Sequence, residues 1–443
     1  MNFSWFFLGL GLTMLVALCW RTARRYFFAN AVLAWAIASA LFLRLIGKSG
    51  RAPAQLRKAF ERLGPTYVKL GQLIASSEGM FPDAYCIEFR RCLDRVAPFD
   101  ARDVDAILRA ELQRDPADVF ASFNYLPIAS ASIAQVHEAS LQDGTKVVVK
   151  VQRPRLPEIV SADLRVLHIL ARLFERLPLG DLANPVGVVQ DFEANLKDEL
   201  DFRREAVNLD EFNAIMAQHG LTNAAAPKPY HELSSARVLV MERFYGVRID
   251  DQEALSSVAP DDVEERLLLG MRAWFRCMLV HGFFHGDVHA GNLMALDDGR
   301  LGFLDFGIVG RFDLTQRNQV SEYLLAIATR NFPALARVMV TMGGTKGIDE
   351  SGLGRDLEQA CAPLLDPSRP VKYADFLPVV TRITIRHRMR LPREFVLILK
   401  QMVYFDRYAK LLAPKLNILA DPRIISGLMQ DFALLRQASA NAA

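Results

Sequence analysis

Aspartate and glutamate are missing from the first 60 positions of this 443-residue chain, where Arg21, Arg24, Arg25, Arg44, Lys48, Arg51, Arg57 and Lys58 all stand. That stretch carries +8 and the remainder −5, so the overall +3 hides a strong asymmetry. The basic part is also the oily part, which points to a membrane surface and away from nucleic acid. Cysteines number five, with no C-x-x-C pair and no neighbouring histidine cluster. This excludes a disulfide framework and a structural zinc site and makes a reducing compartment the default. Internal repeats and low-complexity tracts are absent, and nothing after Lys415 is long and apolar enough to span a bilayer. Hydrophobic residues reach 51% and the mean hydropathy is +0.13, oily enough to place some surface against lipid. The length suits two or three domains, or one large two-lobed enzyme with accessory helices.

Two uncharged runs of 18 residues, Phe3 to Trp20 and Tyr26 to Leu43, flank Arg21-Thr-Ala-Arg-Arg25. Each is just long enough to cross a bilayer, and Trp5, Trp20 and Tyr26 mark their ends as interfacial anchors do. The expectation is a membrane anchor over residues 1–45 of one or two helices. Two spans would strand three arginines on the far side; one span followed by an interfacial helix removes that conflict.

Beyond the linker Gly47 to Pro53, residues from Ala54 to about Gln113 repeat their apolar positions with helical period. A β-hairpin joins Val136 to Leu141 with Val147 to Val151 through Gln142-Asp-Gly-Thr145. Val186 to Ala217 has the pattern of one long charged helix, Arg237 to Arg243 that of a strand, and Pro260 to Val280 that of a helix entering a Gly- and His-rich loop. From Phe312 the chain is mostly helical, with a break at Thr341 to Gly347. Strands early and helices late fit a small lobe followed by a large one.

The chemistry lies in His285-Gly-Asp-Val-His-Ala-Gly-Asn292, followed thirteen residues later by Asp305-Phe-Gly307. Phosphoryl transfer needs a carboxylate beside the attacking hydroxyl or water, plus an amide oxygen and a second carboxylate on magnesium. Asp287 and Asn292 have the five-residue separation of a kinase catalytic loop, and Asp305 opens the metal-binding D-F-G. Asp287 thus heads the catalytic candidates, which also include Lys150 and Lys69; Asn292 and Asp305 are the metal ligands, and His285 and His289 hold the loop. Val147-Val-Val-Lys150 matches the strand whose lysine contacts phosphates. Among Glu199, Asp201 and Glu205 on the expected helix, Glu205 is the partner expected for Lys150, with Glu199 and Asp201 reserved for another contact. Counting back from Val136, fourteen residues before Lys150, gives Ala129-Ser130-Ala131-Ser132-Ile133-Ala134-Gln135-Val136. That is the glycine-rich kinase loop frame with alanine at all three glycine positions, and alanine stiffens such a loop because it enters positive φ reluctantly. Glu242, at the end of the Arg237 to Arg243 strand, completes the nucleotide-binding set.

The alanine loop, Lys69-Leu-Gly-Gln72 preceded by Leu63-Gly-Pro65, Glu199-Leu-Asp201 and His285 to Asn292 together resemble the UbiB/ADCK family of atypical kinases. The resemblance runs from about Ala54 to Asn417. It implies an α+β, protein-kinase-like two-lobed fold with a helical N-terminal extension, here preceded by transmembrane helices. The domains expected are an anchor (1–45), a helical extension (54–125), a small lobe (126–245) and a large lobe (246–430). It also implies ATP or ADP with Mg2+, Lys69 in a lid over the active site pairing with Glu199 or Asp201, and a role in ubiquinone biosynthesis or lipid homeostasis. The partners implied are membrane lipids, quinone or phenolic lipid precursors and ubiquinone-biosynthesis proteins, with the catalytic domain on the ATP-containing side of a bacterial inner membrane. Departures from the family pattern are Ser76-Ser-Glu-Gly79, Phe405-Asp406 and Leu412-Ala-Pro414. No A-P-E motif follows Gly307, and little room remains before Thr315 for a peptide-docking loop. An ATPase coupled to a lipid, a phosphotransferase on a small molecule or protein, and a nucleotide-gated scaffold all fit this set.

Overall fold

The computed structural model describes residues 23–442 apart from short internal stretches, the longest being 76–81, 177–183 and 363–372. The run Phe3 to Trp20 and the departure at 76–79 lie outside the described residues. The chain forms two compact units, Met1–Phe202 with Leu233–Val240 and Arg203–Glu232 with Met241–Ala443.

In the first unit, residues 23–36 are helical. They are followed by α1 (Ala52–Leu63), α2 (Pro65–Ala75), α3 (Asp83–Phe89) and α4 (Ala101–Leu112). Helix α1 carries Pro53 in its first turn and stops at Gly64, whose φ of 94° breaks the helix while its N–H caps Phe60 O. Phe60 then packs edge-on against Tyr67 and Phe89, with ring centroids 5.6 and 5.0 Å apart, forming the core of the extension. Strands β1 (Phe120–Phe123), β2 (Ala129–Ser130), β3 (Ala134–Leu141) and β4 (Lys146–Gln152) follow, antiparallel where β1, β2 and β4 meet β3, and β6 (Val238–Glu242) completes the order β1-β3-β4-β6 with β2 on β3. Val147, Val149 and Val151 are fully buried in β4, as β-branched residues in a central strand should be. Helices α5 (Leu156–Glu175) and α6 (Pro185–Glu199) complete the unit.

No helix among the described residues is long and apolar enough to cross a membrane. The helix over 23–36 is fastened to the protein: Arg25 forks onto Asp163 of α5 with two bonds of 2.8 Å and also donates to Leu63 O. Ala29, Leu33 and Ala36 face inward, while Phe27, Trp35, Phe42 and Leu45 are exposed. The single helix expected over Val186 to Ala217 is two. The chain turns at Leu200–Asp201 between α6 and α7 (Phe202–Gln218). Leu200 O is taken by the Gln152 amide, and the Phe202 N–H is given to Ala236 O. These long-range bonds replace the helical ones at the turn.

The second unit carries a four-stranded sheet in the order β5 (Ala224–Ala225), β10 (Leu301–Phe303), β9 (Leu293–Leu296), β7 (Gly246–Arg248), and a separate pair, β8 (Phe283–His285) with β11 (Val309–Arg311). Its helices are α8 (Pro260–Arg276), α9 (Leu314–Ala328), α10 (Phe332–Gly343), α11 (Glu350–Cys361), α12 (Tyr373–Arg386), α13 (Arg393–Leu412) and α14 (Pro422–Ala442). Helix α8 runs into one π-helical turn, Cys277–His281, and ends at Gly282 with φ 70°. A side chain at Gly282 would meet Phe312 O at 2.2 Å, so only glycine permits the reversal that delivers β8 and the loop behind it.

Candidate nucleotide and catalytic site

In the first unit the alanine loop is a tight hairpin. Ala129 pairs with Val136 and Ser130 with Gln135, and Ala131 N–H closes on Ala134 O at 2.8 Å. Ala129 and Ala131 are exposed, whereas Ser132, Ile133 and Ala134 are buried. Gln135 is fully buried, its amide exchanging hydrogen bonds with the backbone of Phe99. Arg153 fastens the loop from outside, donating to Ala131 O, Ala97 O and Ser130 Oγ at 2.9, 2.9 and 3.0 Å. Burial pushes the Arg153 pKa down from its ordinary value. Arg153 escaped the sequence reading because it lies beyond the V-V-V-K strand, where no motif asks for it.

Lys150 stands opposite Val136 across β3 and β4, and its Nζ lies 5.2 Å from the Phe202 ring centre, in cation–π range. Lys69 of α2 pairs with Glu199 at 2.6 Å, with side chains 23% and 10% exposed. The glycine of that motif has a packing reason. A side chain at Gly71 would meet the Phe89 ring at 2.7 Å and Cys92 Sγ at 2.9 Å, so its absence lets α2 lie tight on α3. Asp201 sits in the turn between α6 and α7, so it no longer shares a continuous helix with either Glu199 or Glu205.

In the second unit, Glu205 is buried on α7. Glu242 is tied to Lys228, giving its N–H to Lys228 O and accepting the Lys228 N–H on its carboxylate. The catalytic loop is built around a buried neutral histidine. His285 Nδ1 accepts the Asp287 N–H at 3.1 Å, so its Nε2–H faces Leu304 O, also at 3.1 Å. Burial lowers its pKa, and its ring lies 4.6 Å from that of Phe306. Asn292 gives its Nδ2–H to Asp287 O at 3.0 Å, joining the two residues separated by five positions. The Asn292 carbonyl accepts Leu304 N–H, which places the residue before Asp305 against the loop. His289 accepts Gly291 N–H on Nδ1, and its Nε2 is 3.9 Å from the Asp287 carboxylate.

Three fastenings were not legible in the motif. The buried Gln401 of α13 accepts Val288 N–H at 2.7 Å and donates to Gly286 O at 2.6 Å, and Trp274 Nε1–H bonds His285 O at 2.9 Å. Asp305 has φ 53°, the left-handed region non-glycine residues enter at a cost, and its Oδ1 accepts Gly307 N–H at 3.2 Å.

The residues present fit a magnesium ion shared with a nucleotide. Among the described residues no group of three or more His, Cys, Asp or Glu side chains could cage a metal. Mg2+ needs only one or two protein oxygens when phosphates supply others. Because the Asn292 Nδ2 is committed to Asp287 O, its Oδ1 is the donor atom it offers, and Asp305 supplies the carboxylate.

A family model described as the ABC1 atypical kinase-like domain matches residues 91–339. A chloroplastic aarF domain-containing protein kinase of Arabidopsis thaliana, itself uncharacterised, is 39% identical over 402 residues, covering 84% of this chain and 74% of the relative. A protein of Cellvibrio japonicus named "Probable protein kinase UbiB" is 32% identical over 373 residues, covering 83% and 67%. The solved complex of a Mycobacterium tuberculosis protein with erythromycin aligns with a TM-score of 0.53 at 25% identity, over 87% of this chain and 100% of that one. The fold is a mixed α+β, kinase-like one with a helical N-terminal region. This chain belongs to the ABC1/aarF family of atypical kinase-like proteins, which includes the proteins named UbiB. Nucleotide binding is the general property that such a domain implies.

Proposed function

We propose that the protein is an ATP-dependent atypical kinase or ATPase that takes Mg–ATP or Mg–ADP and serves a lipid or quinone precursor at a membrane surface. The observation that carries this is the catalytic loop, in which neutral His285 and Asn292 position the backbone on both sides of Asp287 while Asp305 follows on an adjoining segment. Asp287 takes the proton of the attacking hydroxyl or water as its oxygen bonds to the γ-phosphorus and the nucleoside diphosphate oxygen leaves. Magnesium, when bound, offsets charge on the phosphate oxygens. In the first unit, Lys150 and the alanine loop are the residues proposed for phosphate contacts.

Support for a lipid or quinone partner comes from the acid-free, basic N-terminus and the exposed Phe27, Trp35, Phe42 and Leu45, an interfacial composition. The erythromycin carried by the M. tuberculosis relative supports an apolar small molecule as the partner class. The Lys69–Glu199 pair supports an extension held closed beside the nucleotide-binding residues and favours ATPase over protein phosphorylation. This reading puts the protein on the ATP-containing face of a bacterial inner membrane, alongside ubiquinone-biosynthesis proteins and without nucleic acid.

The test compares two variants. Asp305→Asn is expected to abolish magnesium-dependent thermal stabilisation by ATP, and unchanged stabilisation in a folded variant removes the metal assignment. Asp287→Asn is expected to keep nucleotide affinity within about threefold and lose at least about a hundredfold in phosphate release; release at the parental rate removes Asp287 from the mechanism.

A further inference from the structure

The second unit holds a cleft of about 580 Å³ between α8 and α14, and its lining includes neither the catalytic loop nor Asp305. That volume falls in the range of small-molecule sites. Its apolar lining comes from Leu268, Phe275, Ile424 and Leu428, and Arg266, Arg272 and Arg423 also line it. Arg423 is balanced by Glu264 and Asp421 at 2.7 and 2.8 Å. Arg266 and Arg272 instead donate to neutral oxygens, Leu296 O and Gln430 Oε1. The lining thus sets Arg266, Arg272 and Arg423 beside Glu265 and Asp431, with Arg266 and Arg272 also acting electrostatically on Asp298 and Asp431 respectively.

Two features separate this cleft from a gap left by loose packing. Asp431 lines it with a side chain 1% exposed, and while its Oδ1 takes the Arg276 guanidinium, its Oδ2 is buried without a hydrogen-bond donor. A buried acceptor left unsatisfied is costly, and a ligand O–H or N–H would relieve it. The second feature is Gly427, in the middle of α14, where a side chain would meet only Arg272 Cγ, at 3.9 Å. Glycine in a helix interior costs roughly 1 kcal/mol relative to alanine, yet here it keeps the cleft open.

We infer that the α8–α14 cleft is a binding site for an anionic amphiphile, an apolar body bearing a hydroxyl donor for Asp431 and a phosphate or carboxylate for Arg266 and Arg272. The site is independent of the nucleotide. Helix α8, one wall of the cleft, carries Trp274, whose indole bonds His285 O. An occupant would therefore rest on the helix that leads to the catalytic loop.

The probe is 10-hydroxydecyl phosphate, kept below its micelle concentration and titrated into the full-length protein by equilibrium dialysis, beside inorganic phosphate and 1,10-decanediol. Saturable binding of one probe per chain is expected, at least about tenfold tighter than either control. Gly427→Leu, which fills the cleft with a better helix former, is expected to weaken the probe by about tenfold or more while leaving Mg–ATP stabilisation unchanged. Arg272→Met, at an exposed position, is expected to weaken the phosphate probe but not the diol. Equal affinity for the diol overturns the anionic part, and equal affinity for inorganic phosphate overturns the amphiphile. Parental binding by both variants overturns the site, including the case in which the probe adheres to the exposed aromatic residues of the N-terminal helix. Loss of Mg–ATP binding in the parent, with probe binding intact, would count against the proposed function and not against this cleft.

Discussion

In the first unit several of the groups that fasten the functional segments are charged, Arg25 on Asp163, Arg153 on the alanine loop and Lys69 on Glu199, beside the buried neutral Gln135. Around the catalytic loop of the second unit they are neutral and mostly buried: Gln401, Trp274, His285 and Asn292. The difference follows from what each segment does. Long cationic side chains can hold a hairpin or helix from a half-exposed position with little burial, and they respond to salt and to anionic surfaces. A loop that must present one carboxylate in one geometry gains from buried hydrogen bonds that salt does not screen. The first unit thus adds half-exposed charged contacts such as Lys69–Glu199, which surroundings can weaken, to buried ones such as Gln135 on Phe99, whereas the catalytic loop is fastened by neutral, mostly buried bonds.

The largest effect should come from Arg25→Met, which leaves the fully buried Asp163 without its ion-pair partner. Breaking a buried pair from one side costs about 4 kcal/mol, and hydrogen exchange in residues 23–36 should accelerate by roughly a thousandfold. Parental exchange rates would show that the apolar face of that helix, and not the pair, holds it down. Next comes Gln401→Leu, which strips the Val288 N–H and the Gly286 carbonyl of their partners together. A loss of about 3 kcal/mol in protection of the loop is expected, with phosphate release falling more than ATP affinity. If affinity fell and turnover did not, Gln401 would be stabilising the unit without positioning Asp287. The smallest effect is that of the Lys69–Glu199 pair, worth about 1 kcal/mol in a double-mutant cycle at low salt. It should shrink as sodium chloride is raised from 0.05 to about 0.5 M. A coupling that ignored salt would make this pair as sheltered as the catalytic-loop bonds and erase the contrast.

The parts of the site that were legible are those whose signal is local. Val136 and Lys150 face each other because a hairpin turn at Asp143-Gly144 sets their register, and that turn is visible in the sequence. Asp287 and Asn292 stood out by their five-residue spacing within one loop, and a hydrogen bond joins them there. The periodicity of 186–217 suggested one helix because nothing in its composition marks the turn at Leu200–Asp201. The bonds that stabilise the turn come from Gln152 and Ala236, far away in the chain. Just before the apolar run 26–43, Arg25 meets Asp163, buried in the apolar face of α5, a contact that no local pattern announces.

What this sequence determined by itself was therefore a set of short patterns and their order: the alanine-rich hairpin, the strand bearing Lys150, the Asp287–Asn292 loop and the D-F-G at Asp305. Each is a short pattern whose residues are held near one another by the covalent chain. Tertiary structure alone decided that Lys69 meets Glu199, that Arg153 and Gln401 fasten the two loops, and that Gly71 and Gly427 serve packing and an open cleft respectively. Gln401 reaches its partners across 113 and 115 positions. A contact of that range leaves no periodicity and no spacing behind, because its selection depends on the burial of two groups together and not on their neighbours in the chain.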